Sequence, residues 1–406
     1  MYCIDKEKEM DIIKECLEIK DKIIKHRRKL HKIPETGMIL PNTVQYVRKV
    51  LEDLKIDYTS YSSHSGICAV LGKKEGKTIA VRADMDALPI KEETNLDFKS
   101  ENGNMHACGH DAHTAILLGL AELLKKHEDE LHGKVKLIFQ PCEECGPGGA
   151  IAMIRDNVLE NPKVDAIIAL HTDNSKGEYK NGDVIVRYGD MWASEDPINL
   201  TIKGVGGHAS TPHLCMDPIS AATLIINNVQ YILTREIDAK IPVVISFTSV
   251  QGGRDSNNII PDIVEIKGTI RNTNSEIRRY VLKRVSEVID GMCKIMRVDY
   301  KLDFDGGCPG VTNDKEMVEK FVKSAEKIVG KDKIHILSDY NMEAEDAGFF
   351  FEKVPGCYFL LHNPQAFDDG IVYPVHNSKF MLDDSVLYKG TALFLQAVID
   401  FLNMNI

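Results

Sequence analysis

Short apolar runs alternate with amphipathic stretches through the first half of the chain. Thr78 to Arg82 (TIAVR), Val135 to Phe139 (VKLIF) and Val164 to Leu170 (VDAIIAL) read as buried strands. Each leads into polar residues: Asp84 and Asp86 after the first, Glu143 and Glu144 after the second, His171 after the third. Between the first two, Thr114 to Lys126 carries apolar residues at helical spacing, with Asp111 near its start, where a carboxylate caps free backbone N–H groups. Strands alternating with crossover helices predict a mainly parallel α/β sheet. Open sheets of this kind collect ligands along the carboxyl ends of their strands, so these polar residues are expected to meet.

From about Trp192 the pattern changes. Asn199 to Lys203 (NLTIK), Val243 to Val250 (VVISFTSV), Val264 to Arg271 (VEIKGTIR) and Tyr300 to Asp305 (YKLDFD) alternate as half-buried antiparallel strands do. Helical stretches near Pro218 to Leu233 and Ser275 to Met296 separate them. The order β-α-β-β-α-β is ferredoxin-like. After Pro309 the first pattern resumes, with a helix near Lys315 to Val329 and a strand at Cys357 to Leu361. The expected organisation is one α/β domain in two parts, 1–191 and 309–406, interrupted by an inserted α+β domain at 192–308. A chain of 406 residues exceeds the size at which one core stops growing, which agrees with two domains.

Charge and cysteine usage narrow the partners. A formal charge of −11 without long single-sign blocks argues against nucleic acid or an anionic membrane surface as the main partner. Met1 to Lys29 has no apolar stretch of signal-peptide length, and no segment approaches the ~20 apolar residues of a spanning helix. The 10 cysteines are scattered without disulfide-framework spacing, which suits a reducing cytoplasm. A cytoplasmic protein without membrane attachment is the expectation.

The chemistry concentrates in Met105 to Thr114 (MHACGHDAHT) and in the Glu143–Glu144 pair. Cys108 and His110 converge on one ion only from a loop or extended backbone, because on a helix residues two apart diverge by about 200°. A thiolate, imidazoles and carboxylates together suit Zn²⁺, Mn²⁺ or Ni²⁺. Adjacent buried carboxylates repel; a dication relieves one and leaves the other as a base. His171 and His376 follow strand-like or loop segments and are candidates to complete the shell. Two sharper-looking patterns carry less. Cys142-Glu-Glu-Cys145 has redox-motif spacing but opens no expected helix and lacks a second pair for zinc. Gly204 to Ala209 (GVGGHA) fits a dinucleotide fingerprint only on paper, since Pro212 and a loop follow it instead of a helix. His127 and His132 flank acidic residues at a spacing unlike a helical zinc site and are expected to be solvated.

With these residues in hand, the chain resembles the metal-dependent amidohydrolases of the aminoacylase and carboxypeptidase clan. The branch is that of hippurate hydrolase, N-acyl-amino-acid amidohydrolases, auxin-conjugate hydrolases and N-acetyldiaminopimelate deacetylase. The resemblance runs from Arg27 to Glu35 (RRKLHKIPE) to His376 to Phe380 (HNSKF). Between them stand Arg82 to Pro89 (RADMDALP), the Met105 motif, Phe139 to Glu144 (FQPCEE), Gly206 to Ala209 (GGHA), Asn258 to Pro261 (NIIP) and Gly268 to Arg271 (GTIR). It implies a site for two divalent ions (Mn, Zn, Ni or Co) with Cys108, His110, Glu144, His171 and His376 as ligands. Glu143 is then general base and acid, and Asp86 orients a ligand imidazole. Asp84 stands where more distant clan members carry a ligand histidine.

The inserted domain is a lid and dimerisation element in such enzymes, which implies a homodimer or homotetramer. His208 would face the developing oxyanion, with Asn258 and Arg271 near a substrate carboxylate; the bland alternatives are a glycine-turn histidine and a surface ion pair. Cys142 replaces the usual Ala, Ala347 stands in place of an aromatic, and His362 to Val375 is longer and more acidic than expected. The implied reaction is hydrolysis of the amide of an N-acyl amino acid or related conjugate. A dipeptidase of the same clan is the alternative within the class. Outside it stands a non-catalytic metal-binding or Cys142/Cys145 redox-sensing protein.

Overall fold

A computed structural model describes residues 11–146, 148–175, 179–339 and 341–403. The chain divides into two compact units, one formed by Met1–Gly189, Asn313–Ser338 and Phe350–Ile406, the other by Asp190–Thr312 and Asp339–Phe349.

The first unit is built on an eight-stranded sheet. Its spatial order is Tyr58–Ser60, Ile67–Leu71, Lys134–Gln140, Thr78–Asp84, Ala166–Asp173, Gly356–His362, Val184–Val186 and Ile334–Ile336. The central strands Lys134–Gln140, Thr78–Asp84, Ala166–Asp173 and Gly356–His362 run parallel, while antiparallel pairs lie toward the edges. Thr78–Asp84 and Gly356–His362 are buried at every residue, as expected of strands covered on both faces. Helices Lys20–His31, His110–Lys126, Lys315–Val329 and Leu387–Asn403 pack on this sheet and on one another. Among the described residues, only Asp384–Leu402 is long and apolar enough to cross a membrane, and 67% of its apolar window is buried within the fold, so it serves here as a core helix.

The helix after the Met105 motif begins earlier than its periodicity predicts. It runs from His110 to Lys126, and from His110 to Leu124 every side chain except Glu122 is buried. An all-round buried helix has no amphipathic stripe to mark its start. The start is fixed instead by Gly109, which holds a left-handed φ of 87° at the N-cap; a Cβ there would stand 2.3 Å from Thr172 Oγ1. Asp111 does not cap this helix: its carboxylate accepts from Arg27 Nε at 2.9 Å and from His31 Nδ1 at 2.8 Å.

In the second unit, Asp299–Asp303, Gly189–Lys203, Ile263–Asn272 and Val243–Gly252 form an antiparallel sheet in that order. Ile198, Leu200, Ile202, Val264, Ile266 and Ile270 alternate into a separate core with helices Pro218–Arg235 and Ser275–Met296. Asp217 caps the first helix by accepting from Ile219 N, and Asn274 caps the second by accepting from Glu276 N and Ile277 N. Strand order and connectivity are those of a ferredoxin-like unit.

Candidate metal centre

Five separate segments of the first unit bring their polar residues together. Cys108 ends the loop before Gly109, and His110 is the first residue of the buried helix. The His110 Nδ1–H donates to the backbone carbonyl of Asp86 at 2.9 Å, which fixes the tautomer and turns Nε2 inward. That Nε2 is buried without a hydrogen-bond partner, while carboxylate oxygens of Asp84, Glu143 and Glu144 each stand 3.9 Å away. His171, on the strand Ala166–Asp173, repeats the arrangement: Nδ1–H donates to Thr172 O at 2.6 Å and Nε2 lies 3.3 Å from Cys108 Sγ.

Asp86 organises the glutamates. Its two carboxylate oxygens accept the backbone N–H groups of Glu143 at 2.9 Å and Glu144 at 3.1 Å. The expected link to a ligand imidazole runs through the Asp86 carbonyl, its carboxylate standing farther from His110 Nδ1 at 3.5 Å. His376 has a left-handed φ of 63° and donates its N–H to Ala107 O at 2.8 Å; its Nε2 stands 3.1 Å from Glu144 Oε1. A non-glycine residue in that region of backbone space is held there by its surroundings. Cys108, His110 and His171 can present donor atoms within 4.8 Å of one another, and so can Cys108, Glu144 and His376, and His110, Glu143 and Glu144.

The carboxylates dominate the electrostatics of the site. Burial alone would lower the His110 pKa, but Asp84, then Asp86 and Glu144, push it up to about 10. Burial, reinforced by Glu144, Glu143 and Asp84, holds the Cys108 thiol well above its ordinary value. An imidazole with an orphaned inward nitrogen, a thiol, two further imidazoles and paired carboxylates fit divalent ions of borderline softness.

Asp84 is occupied otherwise. It accepts from Arg82 at 2.7 Å and from His113 Nδ1 at 2.6 Å, while His113 Nε2 accepts the Thr172 N–H at 2.9 Å. Burial raises the Asp84 pKa, yet His110, Arg82 and His113 together hold it well below the usual carboxylate range. Sequence reasoning missed His113 and the buried Arg27–Asp111–His31–Glu92 network behind the site, whose side chains are almost wholly buried. His113 and Asp111 are polar residues inside an otherwise apolar helix, whereas Arg27, His31 and Glu92 lie in charged runs where burial has no local signal.

The remaining candidates lie in the second unit. His208 is exposed, with Ser210 Oγ 2.7 Å from its Nδ1. The backbone carbonyl of Asn258 accepts from Ala209 N at 3.0 Å. Arg271 pairs with Glu195 at 2.8 Å, so its guanidinium is engaged within that unit. Two minor expectations are corrected. His127 is not solvated, for its ring bridges Glu15 at 2.8 Å and Glu130 at 3.0 Å. Cys142 and Cys145, whose Cα atoms lie 5.4 Å apart, within disulfide range, are joined in a disulfide, whereas seven other cysteines among the described residues are free and buried.

Residues 80–400 match the model of Peptidase family M20/M25/M40, and the chain belongs to that family. It is a hydrolase of the amide-cleaving class. Thermostable carboxypeptidase 1 of Saccharolobus solfataricus is 37% identical over 396 residues, covering 95% of this chain and 97% of that protein. N-acetyl-L-cysteine deacetylase of Bacillus subtilis is 33% identical over 390 residues, covering 95% and 90% respectively. A solved dinuclear metal binding peptidase of the M20 family from Bacillus subtilis superposes with a TM-score of 0.76 at 31% identity, covering 95% of this chain and 99% of that one.

Proposed function

We propose that the protein hydrolyses the amide bond of N-acyl amino acids, with Cys108, His110, Glu144, His171 and His376 holding two divalent ions and Glu143 as general base and acid. The observation that carries this reading is the inward His110 Nε2, buried without a hydrogen-bond partner amid carboxylates and a thiol. Bound ions supply Lewis acidity and make a water more acidic. Glu143, next in sequence to the ligand Glu144, takes a proton from the attacking water and returns it to the leaving nitrogen. Its backbone N–H is held by Asp86, which limits where its carboxylate swings. His208 as oxyanion partner, and Asn258 and Arg271 as partners of the substrate carboxylate, belong to the same proposal.

The relatives' names bear on the substrate. A carboxypeptidase and an N-acetylcysteine deacetylase both cleave an amide whose nitrogen belongs to an amino acid with a free carboxylate, and that shared half is the part we assign to this chain. The test is turnover of metal-reconstituted protein on N-acetyl, N-benzoyl and indole-acetyl amino acids, with free dipeptides alongside. Amine release from acyl substrates, abolished by chelator and by Glu143→Gln with metal binding retained, supports the proposal. Preference for free dipeptides moves the assignment to a dipeptidase, and full activity of Glu143→Gln removes that residue from the mechanism.

A further inference from the structure

Cys142 and Cys145 enclose only Glu143 and Glu144, so the proposed base and the proposed ligand lie inside the ring that the disulfide closes. Other contacts tie this segment as well, among them Glu144 Oε1 at 3.1 Å from His376 Nε2. Asp86 holds the two glutamate amides, and Gly149 N donates to Cys142 O at 2.9 Å. Cys142 itself has a left-handed φ of 55°, a conformation that a non-glycine residue keeps only where neighbours enforce it. A Cβ on Gly149 would stand 1.7 Å from Pro141 O, so the segment is closely packed on its far side as well. Cys142 is 3% exposed, whereas Cys145 is only half-buried, which gives a thiol access to the pair from one side. Seven other cysteines among the described residues are free and buried, so among the described cysteines Cys145 is the one most open to a thiol.

We propose that Cys142 and Cys145 form a thiol–disulfide exchange site that controls the metal centre, with the oxidised state active and a dithiol as the reductant. This rests on the roles proposed above for Glu143 and Glu144. In the reducing direction a thiolate of the dithiol attacks Cys145 Sγ, the bond between the two cysteines breaks, and the Cys142 sulfur leaves as a thiolate and takes a proton. The second thiol of the reductant then displaces Cys145 from the mixed disulfide. Two electrons and two protons pass to the chain, and the reductant leaves as its own disulfide. A disulfide compound reverses the exchange. Opening the ring loosens the backbone of Glu143 and Glu144, which the Asp86 contacts, the Gly149–Cys142 hydrogen bond and the His376–Glu144 pair then have to hold.

The experiment uses the full chain equilibrated in oxidised or reduced dithiol buffer and freed of the buffer without air. Thiol alkylation read by mass spectrometry reports the state of each cysteine, and competition with a chromophoric chelator reports Zn²⁺ and Mn²⁺ affinity. Cys142 and Cys145 are expected to be alkylated only after reduction. Metal affinity and amide turnover are expected to fall roughly ten-fold on reduction, the size of effect that losing support around a ligand has. The Cys142→Ser/Cys145→Ser double variant is expected to match reduced wild type in either buffer. Alkylation of both residues in the oxidised sample, or equal affinity and turnover in both states, overturns the switch while leaving the hydrolase reading intact. Failure to bind metal in either state overturns both.

Discussion

Replacing Arg27 with Met tests whether the buried charges behind the site hold the helix that carries His110. The guanidinium donates to Asp111 at 2.9 Å, with side-chain exposures of 3% and 0%, and lies 4.9 Å from the centre of the Phe98 ring. Met keeps an apolar stem against Phe98 and removes the charge. Asp111 is then left buried with His31 alone, and breaking a buried pair on one side costs about 3–5 kcal/mol. Burial raises the Asp111 pKa, but Arg27 and then His31 hold it far below the usual range. A depressed carboxyl contributes stability above its unfolded pKa of about 3.9 and loses it as pH falls toward the folded value, so the whole effect is present at pH 7. Hydrogen exchange read by mass spectrometry, on metal-free protein at that pH, isolates peptides from the helix His110–Lys126. Those amides are expected to exchange roughly two to four orders of magnitude faster in the variant. Adding Asp111→Asn to Arg27→Met is expected to recover part of the loss, because it removes the stranded charge. Acceleration below about ten-fold, or no recovery in the double variant, refutes the reasoning.

Three further outcomes follow from the same geometry. Cys108→Ser removes the soft donor beside His171 and is expected to weaken Zn²⁺ binding by roughly 10–100-fold while affecting Mn²⁺ less, measured by chelator competition. Burial lowers the His26 pKa to about 4, so the fold contributes stability above pH 6.5 that falls by about 1.4 kcal/mol per pH step below it; His26→Gln is expected to flatten that part of the urea-midpoint profile. Gly149→Ala places a methyl carbon against Pro141 O and is expected to displace the Glu143–Glu144 segment, lowering metal affinity and turnover while the circular dichroism spectrum is retained.

What the sequence made legible was set by contrast between neighbouring residues. Apolar runs such as VKLIF end abruptly in carboxylates, so the strand Lys134–Gln140 and the glutamates beyond it could be placed on one sheet edge. The alternation of the inserted strands likewise exposes which face is buried. Where contrast is missing, reading fails. The helix start at His110 is hidden because its first turn is polar and buried at once, and only the left-handed Gly109 marks it. The Arg27–Asp111 pair joins residues 84 apart, and no local pattern announces such a partner. The Cys142–Cys145 spacing was visible, but whether two sulfurs meet depends on the turn between them, which the unusual φ of Cys142 sets.

The buried charges also say what kind of centre this is. A layer of Arg82, Asp84, His113, Arg27, Asp111, His31 and Glu92 with nearly complete burial is a poor way to gain stability, since well-packed apolar residues of the same volume do as well or better. Its hydrogen bonds instead determine orientation. His113 accepts from the Thr172 N–H, and the Thr172 carbonyl fixes the His171 ring; Asp111, held by Arg27 and His31, anchors the turn that presents His110. The inward nitrogens of His110 and His171 therefore keep their aim before any ion arrives, so binding need not supply the energy to organise these rings. Loosening of the centre then falls to the Glu143–Glu144 segment, which the amide contacts to Asp86, the His376–Glu144 pair and the disulfide hold in place, and that is where the proposed exchange would act.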